Sequence, residues 1–236
     1  MKLVIGGSTG YVATEVLSQA LKNPTITSII ALGRREAELT PETGSDAAKL
    51  KVLVCDNFGD YPDNVKAELE NADACIWTIA ITPIRLNTVP WEETCKVSRD
   101  YATTAIKTLD ILRQPQSQEK PLRFLYMSGH LTLRSRDDIP AALRDSGLID
   151  YGLLRGEAET LILNYAEQSH GAVQSCIVKP GLIDAPGVER REIPGIPHIE
   201  LTDIAAAMLD QVIGGFEKDT LSNDDLARIG QRALVG

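Results

Sequence analysis

Short apolar runs alternate with amphipathic stretches along the whole chain. The runs at 2–6 (KLVIG), 26–33, 50–56, 73–81, 122–129 and 173–181 predict strands, and 73–81 is of the continuous type that is buried on both faces. Between them lie segments with helical spacing. In 11–23, Val12, Val16, Leu17, Ala20 and Leu21 fall on one face. Further helices are predicted over 64–72, over 91–113 with Gln114-Pro115 as its stop, and over 151–169 with Gly171 just beyond. Thr202 reads as the cap of a helix through Val212, closed by Gly214-Gly215. Ser222 with Asp225 three residues later opens a last short helix.

Strands that alternate with helices predict parallel pairing through right-handed crossovers. The expected fold is α/β: one doubly wound parallel-sheet domain over 1–236, with no internal repeat and no composition shift to mark a boundary. The loosest stretches are 34–49, 130–149 and 183–201. Ligands in such sheets sit outside the carboxyl ends of the strands, so 130–149 and 183–201 are expected to be substrate walls.

Composition narrows the function. A net charge of −9 disfavours nucleic acid as a partner. No run approaches the roughly 18 apolar residues of a membrane span and no signal peptide is visible, so a cytoplasmic protein with no membrane partner is expected. Cys55, Cys75 and Cys176 lie in or beside apolar runs and read as small buried hydrophobes. Neither the four cysteines, Cys95 included, nor His130, His170 and His198 have metal-ligand spacing, so no metal site is expected.

The first strand runs into Gly7-x-x-Gly10-x-x-Ala13 and then into the first helix. Gly7 suits a sharp turn, Gly10 a close backbone approach to a pyrophosphate, and Ala13 tight helix–strand packing. Gly7, Ser8, Thr9, Gly10, Tyr11 and Val12 are therefore candidate cofactor contacts. The second strand ends at Gly33-Arg34-Arg35. Arginine forks phosphate oxygens, so the pair favours NADP(H) over NAD(H). Solvated loop charges are the alternative, and Glu36 is placed to pair with one arginine. Asp56 and Asn57 end the third strand, where an acid commonly meets the adenine amino group; a turn-forming Asp-Asn pair is the other reading.

The glycine loop, Arg34-Arg35, Asp56, "FLYMSG", "YGLLRGEAE" and "IVKPGLI" occur in one order at familiar separations. Together they resemble the atypical short-chain dehydrogenases/reductases, NAD(P)-binding Rossmann-fold proteins. The nearest group looks like the small oxidoreductases related to NmrA-like and Tat-interacting-protein-like members. The resemblance implies that Ser128 orients a carbonyl or hydroxyl, that Tyr151 is the general acid/base, and that Arg155 stands where the family has lysine. It implies that Thr78, Ile79 and Ala80 line the cofactor ribose and pyrophosphate, and that Pro180, Gly181, Leu182 and Ile183 pack beside the nicotinamide. Helices 91–113 and 151–169 offer a homodimer face, although small members can be monomers.

Of the six tyrosines only Tyr151 has a cation four residues on, on the same helix face. A nearby cation lowers a tyrosine pKa. Arginine supplies that field, but it does not relay a proton as lysine can. An ordinary surface arginine paired with Glu159 is the alternative. His130, two residues past Ser128, is a possible proton donor but reads better as a plain loop histidine. The expected function is an NADP(H)-dependent oxidoreductase acting on a carbonyl or activated double bond of a small organic molecule. A redox-neutral isomerase, epimerase or cyclase, or a non-catalytic NADP(H)-sensing regulator, would use the same scaffold.

Overall fold

The computed structural model describes residues 1–35, 47–114, 120–137, 139, 141–144 and 147–235. Glu36 and Pro115, both given roles above, lie outside the described residues.

One seven-stranded sheet organises the chain. Its strands are β1 (Lys2–Gly6), β2 (Ser28–Gly33), β3 (Leu50–Val54), β4 (Ala74–Trp77), β5 (Leu122–Met127), β6 (Val173–Lys179) and, at one edge, β9 (Thr220–Ser222). The order is β3-β2-β1-β4-β5-β6-β9, and every pairing is parallel. Two short strands, β7 (Leu182–Asp184) and β8 (His198–Glu200), pair separately. The order reverses at β1/β4, and a crevice there is where a doubly wound sheet receives ligands.

Helices cover both faces. On one, α1 (Tyr11–Lys22), α7 (Leu201–Gly214) and α8 (Asn223–Val235) enclose a core with Ile5, Ile29, Ile76, Leu125 and Val178. On the other, α2 (Asp63–Leu69), α4 (Tyr101–Ile111) and α6 (Ile149–Gln168) pack over Trp77, Phe124, Tyr126 and Ile177. α5 (Ala141–Arg144) is a single turn. Continuous apolar strands are what a sheet covered on both faces needs.

Several expectations are met. The Cys55, Cys75 and Cys176 thiols are buried, and burial pushes the Cys176 pKa up to about 12. Ser222 and Asp225 form a reciprocal capping box: the Asp225 N–H donates to Ser222 Oγ at 3.2 Å, and the Ser222 N–H to Asp225 Oδ2 at 3.1 Å. The hydrogen bond from Lys218, with those from Ser222, holds the Asp225 carboxyl at about 2.

Others need correction. Thr202 does not cap α7; the helix starts at Leu201, with Glu200 at the cap position and no side-chain capping bond. The apolar run 73–81 is a strand only to Trp77. Beyond it the Thr78 N–H and hydroxyl both donate to Gly6 O, and the chain leaves the sheet to form a cavity wall. The helix over 91–113 comprises α3 (Trp91–Cys95), a π-helical turn at Lys96–Asp100, and α4. That wider turn leaves the Ser98 carbonyl open to side chains.

Candidate active site

At the carboxyl end of β1, Gly7 has φ +91°, and a Cβ there would lie 2.5 Å from Thr78 Oγ1. Only glycine makes this turn without strain. Its N–H donates to Leu32 O at 2.8 Å, which seats the loop on β2. Gly10 is the N-cap of α1, and no side chain caps the helix. The first-turn N–H groups thus stand ready for an anion. The Ser8 side chain is buried and its Oγ has no hydrogen-bond partner. Val12 sits in the core and can offer only its backbone. Tyr11 is 44% exposed at the mouth of the loop.

A cavity of about 170 Å³ opens beside this loop, lined by Gly7, Gly10, Arg34, Arg35 and the backbone from Thr78 to Ile81. Arg34 and Arg35 are exposed, and neither pairs with a carboxylate among the described residues. A third exposed cation, Arg85, lines the same cavity from a 3₁₀ turn at Pro83–Arg85. Asp56 and Asn57 do not line it. Both are exposed, and Asn57 Oδ1 accepts the Gly59 N–H at 3.0 Å, as a turn-forming residue does. The cations, the orphaned Ser8 hydroxyl and the Gly7 cradle fit a dinucleotide.

Thr78, Ala80 and Ile81 also line a second cavity, of about 430 Å³. Ser128, Tyr151, Arg155 and Pro180 to Ile183 lie on its walls, so the structure brings all these expected residues to one place. Their hydrogen bonds give them unequal freedom. The Tyr151 phenol donates to Ile81 O at the wall. Burial raises its pKa above the ordinary tyrosine value, outweighing the lowering by Arg155 and Ser98. The phenol therefore stays protonated through neutral pH, which suits a general acid.

Arg155 does not point at a ribose position. It is 5% exposed, stacks 4.7 Å over the Tyr126 ring, and donates to Met127 O at 2.5 Å and to Ser98 O at 3.4 Å. The π turn supplies that Ser98 carbonyl, which Tyr126 OH also reaches at 3.0 Å. The alternative of a surface arginine paired with Glu159 fails as well, because Glu159 has other partners.

Those partners form a network that the sequence reading missed. Glu159 is fully buried, two turns beyond Tyr151 on α6. Its carboxylate meets Arg134 Nε at 2.6 Å and Lys179 Nζ at 3.7 Å, and accepts the Ser128 hydroxyl at 2.5 Å. Thr132 Oγ1 lies 3.0 Å from Ser128 Oγ, so with the Ser128 proton on Glu159 the Thr132 hydroxyl donates to Ser128. Ser128 thus reaches the cavity with its only proton committed to a carboxylate. The segment 131–134 is seated by Gly152 and Gly156 of α6: the Leu133 N–H donates to Gly152 O at 3.0 Å. Two glycines four apart on a predicted helix were the available signal.

The remaining sites sort simply. His130 is exposed at the rim, and its N–H donates to Pro180 O. Among the described residues no His, Cys, Asp and Glu group could hold a metal, and no helix is long and apolar enough to cross a membrane.

No family model matches the chain, and no curated protein matches it by sequence. Solved structures do. A chain from Bacillus halodurans assigned as an NAD-dependent epimerase/dehydratase superposes with a TM-score of 0.65 at 19% identity, covering 98% of this chain and 99% of that one. The dTDP-glucose 4,6-dehydratase of Streptomyces venezuelae, solved with NAD and TYD, gives 0.68 at 11% identity, covering 100% and 82%. Vestitone reductase from alfalfa gives 0.60 at 17% identity, covering 94% and 74%. At these identities the likeness establishes the fold alone, a single α/β Rossmann domain.

Proposed function

We propose that the protein is an NADP(H)-dependent oxidoreductase, working as one domain, that reduces a carbonyl or activated double bond of a small organic molecule. One observation carries the reading. The segment Thr78–Ile81 is a shared wall between a cation-rich crevice at the glycine loop and a cavity that holds the Tyr151 phenol. A dinucleotide laid along that wall joins its phosphates to the first and its nicotinamide to the second. NAD bound to the Streptomyces dehydratase supports a nicotinamide cofactor; Arg34, Arg35 and Arg85 support the phosphorylated form.

The first-turn N–H groups of α1 bind the pyrophosphate. Arg34, Arg35 and Arg85 neutralise the 2′-phosphate. Pro180 to Ile183 flank the nicotinamide and keep water from it. When bound, the reduced nicotinamide supplies a hydride to the electrophilic carbon. Tyr151 gives its phenolic proton to the substrate oxygen, which takes the place of Ile81 O as its acceptor, and the phenolate regains a proton from solvent. Ser128 holds the substrate oxygen by turning its hydroxyl from Glu159 to donate to it.

Replacing Arg34 and Arg35 by alanine is expected to weaken NADPH binding by about ten- to a hundredfold, with NADH little changed, as read by fluorescence titration. Equal losses for both nucleotides would mean that the arginines do not read the phosphate. The reduction rate is expected to be level across neutral pH. It should fall only above about 10, where a tyrosine of raised pKa loses its proton.

A second reading has a specific observation behind it. With Arg155 on backbone carbonyls and Ser128 on Glu159, two of the three family positions serve internal bonds. That observation points to redox-neutral chemistry or nucleotide sensing as the second reading. Product formation without net nicotinamide turnover, or tight NADPH binding with no turnover of any substrate, would establish it.

A further inference from the structure

We infer that the cavity beside Tyr151 takes an uncharged, mainly apolar molecule with one polar end, and discriminates against substrates bearing a carboxylate or phosphate. The inference rests on the reading of this cavity as the substrate end of a nicotinamide site, and it concerns charge, which the cofactor argument does not decide.

The walls are hydrocarbon: Ile81, Pro83, Leu131, Leu143, Leu148 and Ile196 close around the space. Among the described residues the ionisable side chains on the wall are His130, Tyr151 and Arg155. His130 is exposed at the rim and Tyr151 is a neutral phenol. Arg155 is the one permanent cation, and it is committed: its two arms serve the Met127 and Ser98 carbonyls while its face lies on Tyr126. Turning it toward a ligand would strip those groups of their partner.

The next cations inward are also taken. Arg134 and Lys179 flank the Glu159 carboxylate, and Lys179 Nζ donates to Thr132 O at 2.9 Å. The free cations Arg34, Arg35 and Arg85 face the other cavity. The residues of the 138–146 stretch that lie outside the described set are Asp138, Pro140, Asp145 and Ser146, none of which is basic. An anion entering here would lose its water and meet no counter-charge, and a buried unpaired charge is among the costliest groups a protein can accept. The other polar side chains on the wall are the neutral hydroxyls of Thr78, Thr82, Ser128 and Thr132, and with the Tyr151 phenol they suit an uncharged oxygen. A volume of about 430 Å³ suits a small ring compound beside a nicotinamide.

The test uses an ester and its carboxylate, methyl phenylglyoxylate and phenylglyoxylate, which share the ring and ketone, with dTDP-glucose as a third probe. Binding to the protein is measured by calorimetry, with and without NADP(H). The neutral ester is expected to bind at least about tenfold more tightly than the carboxylate, and dTDP-glucose not to bind. Ile196→Arg, which places a cation on the wall, should reverse the order of the first two. Equal or tighter binding of the carboxylate, binding of dTDP-glucose, no detectable binding of the ester, or no effect of Ile196→Arg would each overturn the inference. NADPH titration of the same samples separates the two readings. Loss of nucleotide binding removes the oxidoreductase reading and leaves the charge preference measurable, whereas a reversed preference with intact NADPH binding removes only this inference.

Discussion

Tyr151→Phe lowers turnover of a reducible substrate by about 10²–10⁴-fold and leaves NADPH binding close to wild type. The substitution removes one oxygen and keeps the ring that packs at the cavity wall. The phenol donates to Ile81 O and lies against Ser98, on a wall segment that is also tied by the Ile81 N–H to Ser98 Oγ at 3.0 Å. The wall therefore stays in place without the hydroxyl, and the loss falls on kcat. The chemistry at stake is delivery of a proton to the oxygen as the carbon receives hydride. Arg155 is too occupied to replace that donor, and the Ser128 hydroxyl already donates its hydrogen bond to Glu159. Steady-state kinetics with nucleotide titration checks the split. A Tyr151→Phe enzyme of full activity would move the proton donor elsewhere, with His130 next to test.

Gly156→Ala is expected to destabilise the protein by about 2–3 kcal/mol, against the helix propensity of alanine, which favours the change by about 1 kcal/mol. A Cβ at Gly156 would lie 1.8 Å from Leu133 O and 2.8 Å from Arg134 N. Backbone cannot yield as a side-chain tip can, so the 131–134 segment must lift off α6. The melting temperature should fall by roughly 5–10 °C for a chain of this length. Because Arg134 is carried on that segment, its 2.6 Å pair with Glu159 should break as well, and activity should fall in the protein that remains folded. Gly214→Ala is the control: a Cβ there meets nothing within 4 Å, and stability should hold. Equal melting temperatures for Gly156→Ala and wild type would show that the close seat on α6 is not a constraint.

How much of this was legible in the sequence follows from what periodicity can carry. Long apolar runs and helical spacing gave strands β1 to β6 and the main helices, because apolar residues gathered in runs leave a clear pattern. Strands β7, β8 and β9 were not seen, since three residues are too few for any period to show. The run 73–81 was read as all strand because its apolar residues beyond Trp77 continue the pattern while lining cavities instead of pairing with a strand. At the site, the glycine loop and the two arginines were readable because their geometry is local. Arg85 was not, because only the folded 3₁₀ turn carries it to the crevice. Helical spacing placed Tyr151, Arg155 and Glu159 on one face, but it is silent on partners. Arg155 found carbonyls and Glu159 found Arg134 and Lys179, partners far from them along the chain.

The small β7–β8 sheet has a consequence for how such a protein diversifies. Leu182 to Asp184 pair with His198 to Glu200, and the ends are pinned again by His198 Nδ1, 2.9 Å from Asp184 Oδ1. The chain between, which brings Ile196 to the cavity, begins and ends at one closed base. Its composition can drift, lengthen or be exchanged as a cassette without disturbing the main sheet or the glycine loop. Selection for a new substrate can therefore act on residues 185–197 while the nucleotide site is inherited intact.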